Sequence, residues 1–260
     1  MFTGKSAAPR ARLPAGERAY VIGDIHGRND LFEQLVDAIQ IDDAARQPAH
    51  TTVILLGDLI DRGPDSAGVI RTARKLAKRG RLRCLMGNHE EMFLDAFDDA
   101  GVLRHFLKHG GRETILSYGI SREEFGKADL KQLQKLLRDR VPDKHVEFLR
   151  DFEDMIELGD YLFVHAGIDP HRPIDEQRPR ELRWIREPFL NHRDRHSHMV
   201  VHGHTITQEI DERKNRIGID TGAYRHGRLT ALVLEGEDRR VIQAVESSKG
   251  RVKIVEQAKV

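Results

Sequence analysis

The chain has 260 residues, with 43 Lys and Arg against 42 Asp and Glu, 14 His and a single Cys. That length supports a sizeable α/β domain with a real core, and a net charge of +1 argues against a surface built throughout to grip a polyanion. One cysteine, Cys84, rules out an internal disulfide and thiolate zinc clusters, and leaves imidazole, carboxylate and amide groups to hold any metal.

In chain order, residues 1–17 carry Lys, Arg, Ala and Pro but no apolar centre, so they read as a flexible tail ahead of a single domain over 18–260 rather than as a secretory signal. Ala19–Gly23 and Thr51–Gly57 read as buried strands and Arg83–Met86 as a third. Between them, Asp30–Ile39 and Ser66–Lys78 place apolar residues on one helical face. Strand, helix, strand, helix, strand is the opening of an α/β fold with a parallel sheet. Residues 90–152 turn helical and read as an insertion or cap, with one helix marked by Leu130, Leu133, Leu136 and Leu137 and another opened by Pro142. Strands return at Met155–Leu158, Tyr161–His165, Met199–His202, Arg216–Asp220, Leu229–Leu234 and Val241–Val245, and Pro170–Arg183 reads as a long surface loop. No apolar run nears the ~20 residues that span a bilayer. The expectation is a cytoplasmic protein without membrane or nucleic-acid partners, and oligomeric state leaves no mark in the sequence.

The informative residues sit where predicted strands end. The first runs into Gly23-Asp24-Ile25-His26-Gly27, the second into Gly57-Asp58-Leu59-Ile60-Asp61-Arg62-Gly63, the third into Gly87-Asn88-His89-Glu90. Two later ones end in His165-Ala166-Gly167 and His202-Gly203-His204. The carboxyl ends of parallel strands share one edge, where ligands bind, so these clusters converge in space. Asp24, His26, Asp58, Asn88, His165 and His204 form a set of oxygen and nitrogen donors too large for one tetrahedral ion and suited to two ions sharing a carboxylate. Alternation along a strand puts His202 and His204 on one face, so position alone does not choose between them.

GDIHG, GDLIDRG and GNHE, followed by FVHAG and VHGHT, resemble the calcineurin-like metallophosphoesterase signature over residues 18–234, and DRG with GNHE resembles its serine/threonine phosphoprotein phosphatase branch. Met86 before GNHE and DTGAY at 220–224 resemble bacterial or phage members. The resemblance implies a four-layer α/β/β/α sandwich with the helical insertion. It also implies two divalent ions, manganese first, with iron, zinc, nickel or magnesium as alternatives. Asp24 and His26 would hold one ion, Asn88, His165 and His204 the other, with Asp58 bridging and Asn88 also near the phosphate. A hydroxide shared by the ions would attack phosphorus directly. Arg62 and Arg186, the latter in Trp184-Ile185-Arg186, would bind phosphate. His89 would act as general acid, oriented by Asp61.

The implied activity is hydrolysis of phosphoserine and phosphothreonine, with phosphotyrosine as an extension, the partner being a phosphoprotein or phosphopeptide. An alternative is symmetrical cleavage of dinucleoside polyphosphates, a group that usually lacks the Asp of DRG and carries GNHD. A third reading is an inactive scaffold, disfavoured because every ligand position is filled. The other histidines show no ligand spacing, and the basic run from Arg71 to Arg83 reads as a solvated helix face. Tyr224 lies where it could touch substrate.

Overall fold

The computed structural model describes residues 10–257; the first nine residues of the expected tail lie outside the described residues. Strands β1 (Glu17–Ile22), β2 (His50–Leu55) and β3 (Arg81–Cys84) run parallel, joined by α1 (Asn29–Ala44) and α2 (Ser66–Arg79). The Gly-bounded Val/Ile runs thus form the strands expected of them, with β1 buried along nearly its whole length. Asp65 caps α2 by accepting from the Gly68 amide.

Six helices follow β3: α3 (Asn88–Ala96), α4 (Ala100–Phe106), α5 (Arg112–Ser117), α6 (Arg122–Lys127), α7 (Leu130–Arg140) and α8 (Asp143–Arg150). A π-turn, Leu107–Gly111, joins α4 to α5, with Gly110 at φ 105°. The chain then enters β4 (Met155–Leu158), β5 (Tyr161–Val164), α9 (Pro179–Trp184), α10 (Glu187–Leu190), β6 (Met199–His202), β7 (Asp211–Glu212), β8 (Arg216–Gly218), α11 (Ala223–His226), β9 (Arg228–Glu235), β10 (Asp238–Glu246) and β11 (Val252–Gln257). One sheet has the order β11-β10-β9-β1-β2-β3 and the other β4-β5-β6-β8-β7. Within the second, β5, β6 and β8 are mutually parallel.

Three apolar clusters define the layers. Ala19, Val21, Ile54, Phe163, Val201, Ile217 and Leu232 pack between the sheets. Tyr20, Leu31, Leu35, Val69, Phe93, Leu103 and Leu137 join the first sheet to α1, α2 and the helices after β3. Leu162, Val164, Val200, Leu182 and Phe189 join the second sheet to α9 and α10. The result is the α/β/β/α sandwich.

Two expectations need correcting. Residues 10–17 are not a loose tail: Leu13 is fully buried between the sheets, its amide donates to Gly236 O at 2.9 Å, and Glu17 already belongs to β1. One apolar side chain among Pro and Arg is enough to anchor the segment. Pro170–Arg183 is not all loop, because Pro179 occupies the first turn of α9, where its missing N–H costs nothing. No helix among the described residues is long and apolar enough to cross a membrane.

Candidate metal centre

The loops leaving β1, β2, β3, β5 and β6 meet at one edge of the sandwich. Among the described residues, five non-glycine residues have positive φ: His26 (46°), Asp58 (49°), Asp61 (73°), Arg62 (66°) and His204 (62°). All five are sequence-predicted site residues. Each such backbone costs about 1–3 kcal/mol, tolerated where surrounding bonds fix it. The His26 amide donates to Asp58 O at 2.9 Å, and the Arg62 amide to Gly110 O at 3.1 Å. Glu90 ties two loops together: its carboxylate accepts from the Asp58 and Leu59 amides, both at 2.8 Å, and from Gly87 N at 3.1 Å. Burial and the nearby Asp58 charge push Glu90 up to about 8. Gly87 has to be glycine, since a Cβ there would lie 2.3 Å from Asp58 Oδ1.

Asp58 sits between two groups of donors. On one side His165 Nδ1–H donates to Leu56 O at 2.7 Å, which turns Nε2 inward. Around that Nε2 lie Asn88 Oδ1 at 3.0 Å, His204 Nδ1 at 3.2 Å and Asp58 Oδ1 at 3.4 Å. These are lone-pair atoms facing one another, an arrangement that calls for a cation. Burial opposes charge on His165, yet Asp58 and the Leu56 carbonyl raise its pKa. On the other side His26 Nδ1–H donates to Ile60 O at 2.8 Å, and His26 Nε2 stands 3.6 Å from Asp58 Oδ2.

The donor atoms gathered with His26 and Asp58 belong to His89, whereas Asp24 Oδ2 accepts from the His204 amide at 2.9 Å. Its other oxygen is buried without a protein partner, as are His204 Nε2 and Asp220 Oδ2. Burial, then Asp220 and Asp58, raise the Asp24 pKa, and burial pushes Asp220 up to about 6. Crowded carboxylates and orphaned buried acceptors are what divalent cations relieve, so the donor set fits such ions.

Arg62 lies across the opening. Its guanidinium donates to His26 Nε2 at 2.5 Å and to His89 Nε2 at 2.8 Å. An arginine only donates, so His89 here carries its proton on Nδ1 and gives it to Asp61 Oδ2 at 2.5 Å. Burial lowers the His89 pKa to about 4, with Arg62 adding to the effect and Asp58 opposing it. Thr114, which sequence reasoning missed, holds Asp61: its hydroxyl donates to Asp61 Oδ1 at 2.5 Å and accepts from the Asp61 amide at 2.9 Å. The helices after β3 therefore build the wall of the site.

Tyr224 is in the site, its ring 5.2 Å from that of His26 and 4.8 Å beneath the Arg62 guanidinium. Arg186 is exposed and acts electrostatically on His204. The neighbouring Arg183 is committed to Glu91 and Asp154 at 2.6 Å each. His202 turns elsewhere, its Nε2 accepting from Arg216 at 3.3 Å, while His204 is the one brought to His165. Asp220, also missed, leaves the end of β8 as Asp24 leaves β1; a strand ending in Gly218-Ile219-Asp220 was its signal.

Residues 17–226 match the calcineurin-like phosphoesterase family. The chain belongs to that family. Calcineurin-like phosphoesterases use a dinuclear metal centre, and the His and Asp groups around Asp58 are ones that could bind metal here. The chain is 26% identical over 235 residues, 82% of its length and 88% of the relative's, to an asymmetrical bis(5'-nucleosyl)-tetraphosphatase PrpE of Anoxybacillus flavithermus. It is 32% identical over 161 residues to a symmetrical bis(5'-nucleosyl)-tetraphosphatase of Acidovorax, where it spans 46% of the relative's length. Among solved structures, a cold-active protein-tyrosine phosphatase of Shewanella shares the fold, with TM-score 0.57 and 18% identity over 96% of this chain and 83% of that one.

Proposed function

We propose that this phosphoesterase hydrolyses the phosphate bridge of dinucleoside tetraphosphates. Similarity along four-fifths of both chains to a bis(5'-nucleosyl)-tetraphosphatase carries the substrate class, and it favours what the sequence offered as the alternative over phosphoprotein hydrolysis. Asp24, His26 and Asp58 would hold one ion, and Asp58, Asn88, His165 and His204 the other. When bound, such a pair supplies an activated water and neutralises charge on the phosphoryl oxygens.

The chain's own residues do the rest. Arg62 can turn its planar fork from the two imidazoles to the phosphate oxygens, matching two of them at once. That frees His89 Nε2 to carry a proton to the leaving oxygen, with Asp61 and Thr114 fixing the ring. Exposed Arg186 meets the phosphate from the far rim. A nucleotide leaves as a phosphate, a far better leaving group than a serine alkoxide, so the reaction leans less on His89 than phosphoserine hydrolysis would.

Phosphoprotein hydrolysis is the second reading, supported by Asp61 and Glu90 within DRG and GNHE. Side-by-side kcat/KM values with Mn2+ test the choice. Diadenosine tetraphosphate should exceed phosphoserine, phosphothreonine and phosphotyrosine peptides by about tenfold or more, an advantage of about 1.4 kcal/mol in the transition state. The reverse order would overturn the proposal in favour of the second reading.

A further inference from the structure

A second cavity, of about 460 Å³, opens between α2, the end of α5 and the start of α8. Its lining includes Arg71, Arg74, Lys75 and Lys78 along one stripe of α2, facing Arg140, Lys144 and His145. No acidic residue lines it. Arg71 reaches Asp65 at 3.6 Å and Arg140 reaches Glu124 at 3.3 Å. Arg74, Lys75, Lys78 and Lys144 have no ion pair among the described residues.

Two further features mark this as more than a solvated helix face. His145 lines the cavity while only 2% exposed, and its Nδ1 is held by the Tyr118 hydroxyl at 3.1 Å. Burial pushes its pKa down to about 4, with Arg74, Arg71 and Lys144 adding to the effect. The N-terminus of α8, capped by Pro142 without a side-chain bond, opens on the same space; the His145 amide donates to Pro142 O at 2.8 Å, which leaves those of Asp143 and Lys144 without a protein acceptor among the described residues.

We propose that this cavity is a second anion site that takes an oligophosphate chain, either free or as the tail of a nucleotide. A single phosphate would engage two or three of these cations, whereas a chain of phosphates matches cations arriving from three segments. An RNA backbone would need them strung along a track rather than gathered in a space of small-molecule size. The cavity shares a wall with the metal centre: the Ala67 amide donates to Ser117 Oγ at 3.1 Å, both residues line the cavity, and their neighbours Ser66 and Thr114 bond Asp61. The proposal is independent of which phosphoester the enzyme cleaves.

The test is calorimetric titration of the metal-loaded protein with imidotriphosphate, which resists hydrolysis, comparing wild type with Arg74→Glu/Lys78→Glu and with Lys144→Glu on the opposite wall. Wild type should show a binding event that weakens steeply with salt and is lost or weakened about tenfold or more in both variants. Their melting temperatures and their hydrolysis of p-nitrophenyl phosphate should match wild type. Equal binding of ATP and imidotriphosphate would identify the phosphate chain as the ligand, and tighter ATP binding a nucleotide; both support the site. Identical titrations for wild type and variants, or an RNA 12-mer bound far more tightly than imidotriphosphate and lost in the same variants, would overturn it.

Discussion

The two halves of the metal centre meet at Asp58 but are built differently. On the His165 side the ring is oriented by a backbone carbonyl and three acceptor atoms stand within 3.4 Å of Nε2. On the His26 side Arg62 lies against two imidazoles, and Asp24 accepts from the His204 amide. The first half gathers facing lone pairs that a bound cation would satisfy. The second keeps a cation of its own in Arg62, next to the ring proposed to carry the proton.

Removing the shared residue erases the contrast and should cost most. Asp58→Asn should leave both halves poorly loaded and lower turnover by about 10³-fold or more, the scale of losing charge stabilisation at a reacting centre; metal analysis and kcat together check this. His89→Asn touches the His26 half only. It should keep wild-type metal content, lower kcat on a phosphoserine peptide by about 10²–10⁴, and spare diadenosine tetraphosphate by comparison, which leaving-group-dependent rates would reveal. Thr114→Val loosens Asp61 without touching either donor group. A bond to a charged group is worth about 1.5–3 kcal/mol, so kcat should fall by roughly 10- to 100-fold with KM nearly unchanged.

Away from the centre, buried His145 and His202 both have pKa values pushed down to about 4. A histidine lowered in the folded state binds its proton more readily once unfolded, so its contribution is whole above about pH 6.5 and is lost as pH falls toward 4. Denaturation at stepped pH should show that acid slope, and His145→Gln should flatten it. The smallest effect belongs to exposed Arg186: its replacement by Ala should raise KM severalfold with metal content unchanged.

Most of the donors, and Arg62, were legible because they follow a strand and stand beside or near glycine, so local chemistry announced them; Arg186, between two helices, was legible only by the resemblance of its motif. The supports were not. Thr114 is 53 residues from Asp61, and a threonine in the first turn of a helix carries no mark of a distant carboxylate. Asp24 shows the opposite limit, since its motif is plain but its side-chain direction depends on the His204 amide, 180 residues away. In the fold, Gly-bounded Val/Ile strands were readable. β11 was not, because five of its six residues are exposed and only pairing with β10 defines it.

Metal content against activity is the most direct test of the central claim. Protein stripped with chelator and titrated with Mn2+ should be inactive at the start, bind two ions per chain by elemental analysis, and recover full activity only as the second is taken up. Saturation at one ion, or full turnover in the stripped protein, would contradict a dinuclear centre built around Asp58.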